Sequence, residues 1–198
     1  SPTVQLLVDS KAAVDADNPV WQQVMIRVIG DGKSKAVKSL LKWKVSPNTR
    51  GENVKTPLMY AIEEDQFEIL QSLIDAGARV EPENRSWGSV WGKIACNNQL
   101  NAAQRIVDLK VSLNCMDEEN QTPLMHAVKR DHFDMARLLM DAKATVDPSQ
   151  AYWTEALFRA TKSDRADDVQ FILDVRVSPH VVDSQRRPAL VYAQKMGF

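Results

Sequence analysis

Residues 55–81, KTPLMYAIEEDQFEILQSLIDAGARVE, and residues 121–147, QTPLMHAVKRDHFDMARLLMDAKATVD, are two versions of one pattern set 66 residues apart. A chain made of short copies must stack them, because no copy is large enough to close a core on itself. A shift of 33 residues places Leu7, Leu40, Leu73, Ile106, Leu139 and Ile172 in one column. Val8, Leu41, Ile74, Val107, Met140 and Leu173 fill the next. Both columns are apolar throughout, which predicts the buried face of a repeated helix. A third column, Val28, Ala61, Ile94, Ala127, Ala160 and Ala193, is mostly small, as a close approach of two helices requires. The fourth, Gly32, Asp65, Asn98, Asp131, Asp164 and Gly197, holds the residue types that best tolerate a left-handed backbone, and it predicts a turn between two helices.

One copy then reads as a helix pair. Thr56 caps a first helix and Pro57 fits its first turn, where no amide hydrogen is needed. That helix runs to about Glu64, and Asp65 turns the chain. A second helix is predicted to bury Ile69, Leu70, Leu73 and Ile74 and to end at Gly77. Neither helix is long enough to be stable alone in water, so stacking on neighbours must supply the core.

The strings Thr56-Pro57-Leu58-Met59-Tyr60-Ala61 and Thr122-Pro123-Leu124-Met125-His126-Ala127 resemble the TPLHxA signature of ankyrin repeats. The tails SLIDAGARVE and LLMDAKATVD resemble that family's LLxxGADVN. The resemblance implies an all-α solenoid of helix-turn-helix units with extended loop tips, acting as a non-catalytic protein-binding scaffold. Two departures stand out. The signature histidine is Met59 and Met125 here, and the glycine that ends the second helix survives only as Gly77. Its equivalents are Lys11, Lys44, Lys110, Lys143 and Arg176, cations that suit a helix C-terminus but not a left-handed backbone. Asn48 and Asn114 match the family's loop asparagine, which is hydroxylated in some members and is elsewhere a turn residue.

A longer rhythm overlies the first. Trp21, Trp87 and Trp153 lie 66 apart, as do KVSPN (44–48), KVSLN (110–114) and RVSPH (176–180). The register divides the chain into a partial copy at 1–17, whole copies at 18–50, 51–83, 84–116, 117–149 and 150–182, and a partial copy at 183–198. The outermost positions, Val4, Leu7 and Val8 at one end and Leu190 and Ala193 at the other, look unlike polar capping repeats. That predicts a segment of a longer protein.

Composition excludes several function classes. A net charge of −1 argues against a surface committed to nucleic acid. No apolar run approaches the roughly 18 residues that span a bilayer, and residues 1–15 do not form a signal peptide. Cys96 and Cys115 form no CxxC pair, so reduced thiols in an intracellular, cytoplasmic protein are expected. His126, His132 and His180 fall in different columns, and neither cysteine stands near a histidine in the column register. Gly30-Asp31-Gly32-Lys33-Ser34 ends like a P-loop, but Arg27 occupies the position where the motif needs its first glycine. No cofactor, metal or catalytic site is expected.

The resemblance implies a partner protein bound by first helices and loop tips. The matching helix positions include Glu63, Glu64, Asn97, Lys129, Arg130 and Lys162, which run from acidic to basic along the chain. The matching tip positions include Glu52, Asn53, Arg85, Ser86, Glu118, Glu119 and Tyr152. The tryptophans Trp21, Trp87 and Trp153 are expected to pack between adjacent loops, and Trp43 to be exposed at a helix end. Lys35, Lys38 and Lys42 share a helical face that reads as solvated, with an anionic lipid or an acidic partner as the alternative. A structural spacer within a long array, or a regulatory region of a larger enzyme or channel, are the alternative roles.

Overall fold

The computed structural model describes residues 18–51 and 54–196, and these residues contain eleven α-helices. The chain divides into two compact units at Ser86/Trp87. The first holds α1 (Pro19–Gly30), α2 (Ser34–Lys42), α3 (Pro57–Glu63) and α4 (Phe67–Asp75). There α1 packs on α2 and α3, and α4 packs on α2 and α3. The second holds α5 (Trp87–Cys96), α6 (Leu100–Asp108), α7 (Pro123–Lys129), α8 (Phe133–Asp141), α9 (Ala151–Lys162), α10 (Ala166–Asp174) and α11 (Ala189–Met196). In it α7 lies between α5 and α9, α9 also meets α11, and α6, α8 and α10 pack behind α5, α7 and α9 respectively. Each unit is therefore two layers of helices, first helices on one side and second helices on the other.

The repeat columns account for this packing in part. Leu40, Leu73, Ile106, Leu139 and Ile172 are all buried, and they lock second helices onto first ones. The adjacent column does not follow. Leu41, Val107, Met140 and Leu173 are only half-buried, and Ile74 is 39% exposed. One residue further along a helix is about 100° further round it, which turns this column to the rim of the interface. The small column is fully buried at Ala61, Ile94, Ala127 and Ala160.

The turns match the residue types. Gly32, Asp65, Asn98, Asp131 and Asp164 all have positive φ, between 49° and 65°. Lys44, Lys110, Lys143 and Arg176 adopt φ of 57–73°, the conformation that Gly77 takes without strain at 85°. Lys11 and Gly197 lie outside the described residues.

The helix starts hold a small departure from the common cap. Thr56 Oγ1 accepts from Met59 N at 3.4 Å, and Thr122 Oγ1 from Met125 N at 3.3 Å. In return each threonine N–H points at the methionine sulfur, 3.5 Å away in both helices. A thioether thus stands where a capping box usually places a carboxylate or amide.

Candidate functional site

The sequence register directs attention to the C-terminal ends of the first helices. Lys129 ends α7, Arg130 is its C-cap, and Lys162 ends α9; all three are exposed. Cations there face the negative end of the helix dipole, which favours them. Lys129 Nζ donates to Gln121 Oε1, and Lys162 Nζ lies 4.5 Å from the centroid of the Tyr192 ring. Beside them Asp131 is fully engaged. Its Oδ1 accepts from Arg159 Nε and Nη2 at 3.0 and 2.8 Å, and its Oδ2 from Arg165 Nη2 at 2.8 Å. Partial burial pushes the Asp131 carboxyl up, but the two guanidiniums outweigh it and hold the group below its ordinary value.

Two open grooves run beside first helices, one in each unit. Gln22, Gln23, Ile26, Arg27, Arg50 and Tyr60 line one of 560 Å³. Glu155, Phe158, Arg159, Lys162, Asp183 and Ser184 help to line the other, of 730 Å³. Most of these residues carry no motif, so the sequence offered no signal for them beyond their place in the repeat.

The structure divides the surface positions expected from the register. Glu64, Arg85, Asn97, Glu118, Glu119, Lys129, Arg130 and Lys162 are exposed. Glu63, Ser86 and Tyr152 are buried, at 3%, 5% and 8% exposure. Glu63 turns inward to meet Lys55 Nζ at 2.6 Å. Ser86 closes a turn in which its N–H donates to Asn84 Oδ1 at 3.0 Å, directly before the buried Trp87. Tyr152 was expected at a loop tip, but α9 starts at Ala151, and the ring tilts onto Trp153 at 5.6 Å. Glu52 and Asn53 lie outside the described residues.

Other expectations resolve similarly. Trp87 and Trp153 are buried, while Trp43 is half-buried and edge-on to Trp21, with centroids 5.6 Å apart. Lys38 pairs with Glu68 at 2.6 Å, which removes one charge from the lysine face of α2. Asn48 and Asn114 tie successive copies together: Asn48 Oδ1 accepts from Arg79 N at 2.7 Å, and Asn114 Oδ1 from Thr145 N at 2.8 Å.

One expectation is overturned. Cys96 does stand beside a histidine: its Sγ lies 3.3 Å from His126 Nδ1, and His126 Nε2 lies 2.6 Å from Asp117 Oδ2. Asp117 Oδ1 meanwhile accepts from the amides of Glu119 and Gln121, both at 2.9 Å. Partial burial works to raise the Asp117 carboxyl, but the Gln121 amide and His126 bring it below the ordinary value. The cysteine and histidine were missed because facing positions on neighbouring first helices are not column equivalents. They are 30 residues apart, one repeat on and one turn back. Among the described residues no group of three His, Cys, Asp or Glu side chains is placed to hold a metal ion.

A family model described as ankyrin repeats, in three copies, matches residues 1–84 and 93–183. The chain belongs to the ankyrin repeat family. An ankyrin repeat protein of Escherichia coli (strain K12), YahD, is 27% identical over 169 residues, which cover 82% of this chain and 84% of that protein. A potassium channel of Oryza sativa subsp. japonica, KOR2, is 34% identical over 65 residues, 33% of this chain and only 9% of the channel. Among solved structures, the ankyrin repeat domain of Bcl-3, a member of the IkappaB protein family, superposes with a TM-score of 0.62 at 19% identity, covering 97% of this chain and 86% of its own. An ankyrin repeat domain from Acinetobacter baumannii gives 0.64 at 20% identity, with 87% and 91% covered. These structural likenesses establish the fold. Ankyrin repeats are generally protein–protein interaction modules. No helix among the described residues is long and apolar enough to cross a membrane.

Proposed function

We propose that this ankyrin chain is a non-catalytic, intracellular protein-binding module, divided into repeats at the boundaries read from the 33-residue register. Its partner is engaged by the exposed ends of first helices and by loop residues. In the unit of residues 87–198 the strip Lys129, Arg130 and Lys162 meets an acidic segment of that partner. The observation that carries this reading is the charge arrangement. Three exposed cations stand on adjoining first helices, while the nearby Asp131 is already engaged by Arg159 and Arg165. Packed helices hold these groups in place before binding, so little ordering entropy is lost on contact.

The test is affinity purification from the native source with wild type and a Lys129→Glu, Arg130→Glu, Lys162→Glu variant of unchanged helicity. A protein recovered by wild type and lost by the variant is the expected result. Recovery of the same proteins by both overturns the basic strip and favours the spacer role. The 65-residue likeness to a plant potassium channel supports a second reading, a regulatory segment within a larger protein. A full-length mass equal to these 198 residues would remove it.

A further inference from the structure

The Cys96–His126–Asp117 cluster has no part in a protein-binding frame. It sits inside the unit of residues 87–198, where α5 contributes the thiol, α7 the imidazole and the loop before α7 the carboxylate. The order of the contacts assigns the protons. An ionised carboxylate accepts only, so at 2.6 Å from Asp117 Oδ2 the His126 Nε2 carries the hydrogen. In the neutral imidazole Nδ1 is then the bare nitrogen, and it faces the Cys96 S–H at 3.3 Å. Asp117 is itself fixed by two loop amides, so the tautomer and the ring plane of His126 are set before any reagent arrives. Thiol, oriented base and orienting carboxylate are the parts of an activated sulfur nucleophile.

We propose that Cys96 is a modification site for low-molecular-weight disulfides, with His126 as its proton acceptor and Asp117 as the positioning residue. Cys96 Sγ attacks one sulfur of the disulfide. A new S–S bond forms, the reagent's own S–S bond breaks, and the thiol proton moves to His126 Nδ1. The resulting imidazolium is paired with the Asp117 carboxylate through its Nε2–H. The Nδ1 proton then passes to the departing thiolate of an aliphatic disulfide, or to water where an aromatic thiolate leaves. Thiol plus disulfide thus become mixed disulfide plus thiol, or mixed disulfide plus thiolate and a proton. Charged and titratable groups around the site are Lys93 on α5 and Lys129 and Arg130 at the end of α7, all exposed and cationic. With them stands His132 before α8, whose Nδ1 is tied to Ala95 O at 2.9 Å and not to the thiol. The C-terminal dipole of α5 works the other way, against negative charge on the sulfur. The imidazole is therefore the group on which the reaction depends. Cys115 lacks such a partner: its Sγ donates to Ser112 O at 3.3 Å, and burial pushes its thiol up to about 11.

The experiment uses the full chain with Cys115→Ser, so that Cys96 is the only thiol, and the aromatic disulfide 5,5′-dithiobis(2-nitrobenzoate) as probe. Its thiolate release is followed between pH 6 and 8. A positioned base gives a native rate at pH 7 at least about tenfold above that of the same protein unfolded in urea. Below pH 8 the native rate also falls by less than the roughly tenfold per pH unit of an ordinary thiol. His126→Gln lowers the native rate at least about tenfold, and Asp117→Asn steepens the pH profile towards that of an ordinary thiol. A native rate at or below the unfolded rate, with the ordinary pH slope, overturns the proposal. That comparison needs neither histidine nor aspartate variant to fold. A fast native rate that His126→Gln, still helical, leaves unchanged overturns the role of the imidazole.

Discussion

Lys44, Lys110, Lys143 and Arg176 carry a conformation that glycine would take freely. A left-handed residue with a Cβ costs roughly 1–2 kcal/mol, whereas a cation at a helix C-terminus recovers only about 0.3–1 kcal/mol. Lys143→Gly should therefore raise stability by about 0.5 kcal/mol after its own chain entropy is counted, read as a higher urea midpoint at unchanged slope. A lower midpoint would mean that the charge outweighs the strain. Trp153 presents a second imbalance. It is fully buried, and although the Tyr152 side chain interacts with it, its Nε1 makes no hydrogen bond of regular geometry. A buried unpaired donor costs about 1–3 kcal/mol, so Trp153→Phe should change stability by less than about 1 kcal/mol. Trp153→Ala, which leaves a cavity, should cost about 3–5 kcal/mol in the same urea measurement. The tryptophan column was legible in the sequence. The empty hydrogen bond was not, because it depends on what stands opposite the indole nitrogen.

At the scale of the helix, the starts of α3 and α7 were readable and the start of α9 was not. Thr56-Pro57 and Thr122-Pro123 carry their own cap and first-turn residue, so local chemistry sets those boundaries. Thr122→Ala should lose about 1 kcal/mol and Thr122→Ser very little, measured by thermal unfolding. The helix α9 starts at Ala151, behind a Gln150 N-cap whose side chain makes no cap bond, and its first turn is held by Tyr152 and Trp153 packing inward. No threonine-proline pair announces it, so Tyr152 read as a loop tip. Gly88, in the first turn of α5, shows a different constraint: a Cβ there would stand 2.0 Å from the backbone oxygen of Met116. Gly88→Ala should destabilise by about 1–3 kcal/mol, because a backbone segment must give way.

Over the whole molecule, acid should act through the paired aspartates. Asp117, Asp131 and Asp183 all have carboxyls held below the ordinary value of 3.8 in the fold. A lowered folded value means that the unfolded chain binds the proton more readily. Their contribution is thus fully present above the unfolded value and is lost as pH falls through the folded values. The contribution of these aspartates is constant from pH 7 to about 5, and urea midpoints should fall below about 4. Asp131→Asn should be less stable at pH 7 and show a shallower acid decline, since Arg159 and Arg165 lose their shared carboxylate. An unchanged slope would show that this ion pair forms equally in the unfolded chain.

The period, the helix pairs, the left-handed turns and the family were determined by the sequence alone, because each depends on residues within one copy and recurs every 33 positions. Which of two adjacent apolar columns is buried depended on helix rotation, which placed Leu73 in the core and left Ile74 at its rim. The burial of Glu63 against Lys55 and of Tyr152 against Trp153 depended on side-chain direction within the packed fold. The meeting of Cys96 with His126 depended on the stagger between neighbouring first helices, which brings together positions 30 rather than 33 residues apart. A repeat announces what its copies share; what faces what across two copies is set only when the helices stack.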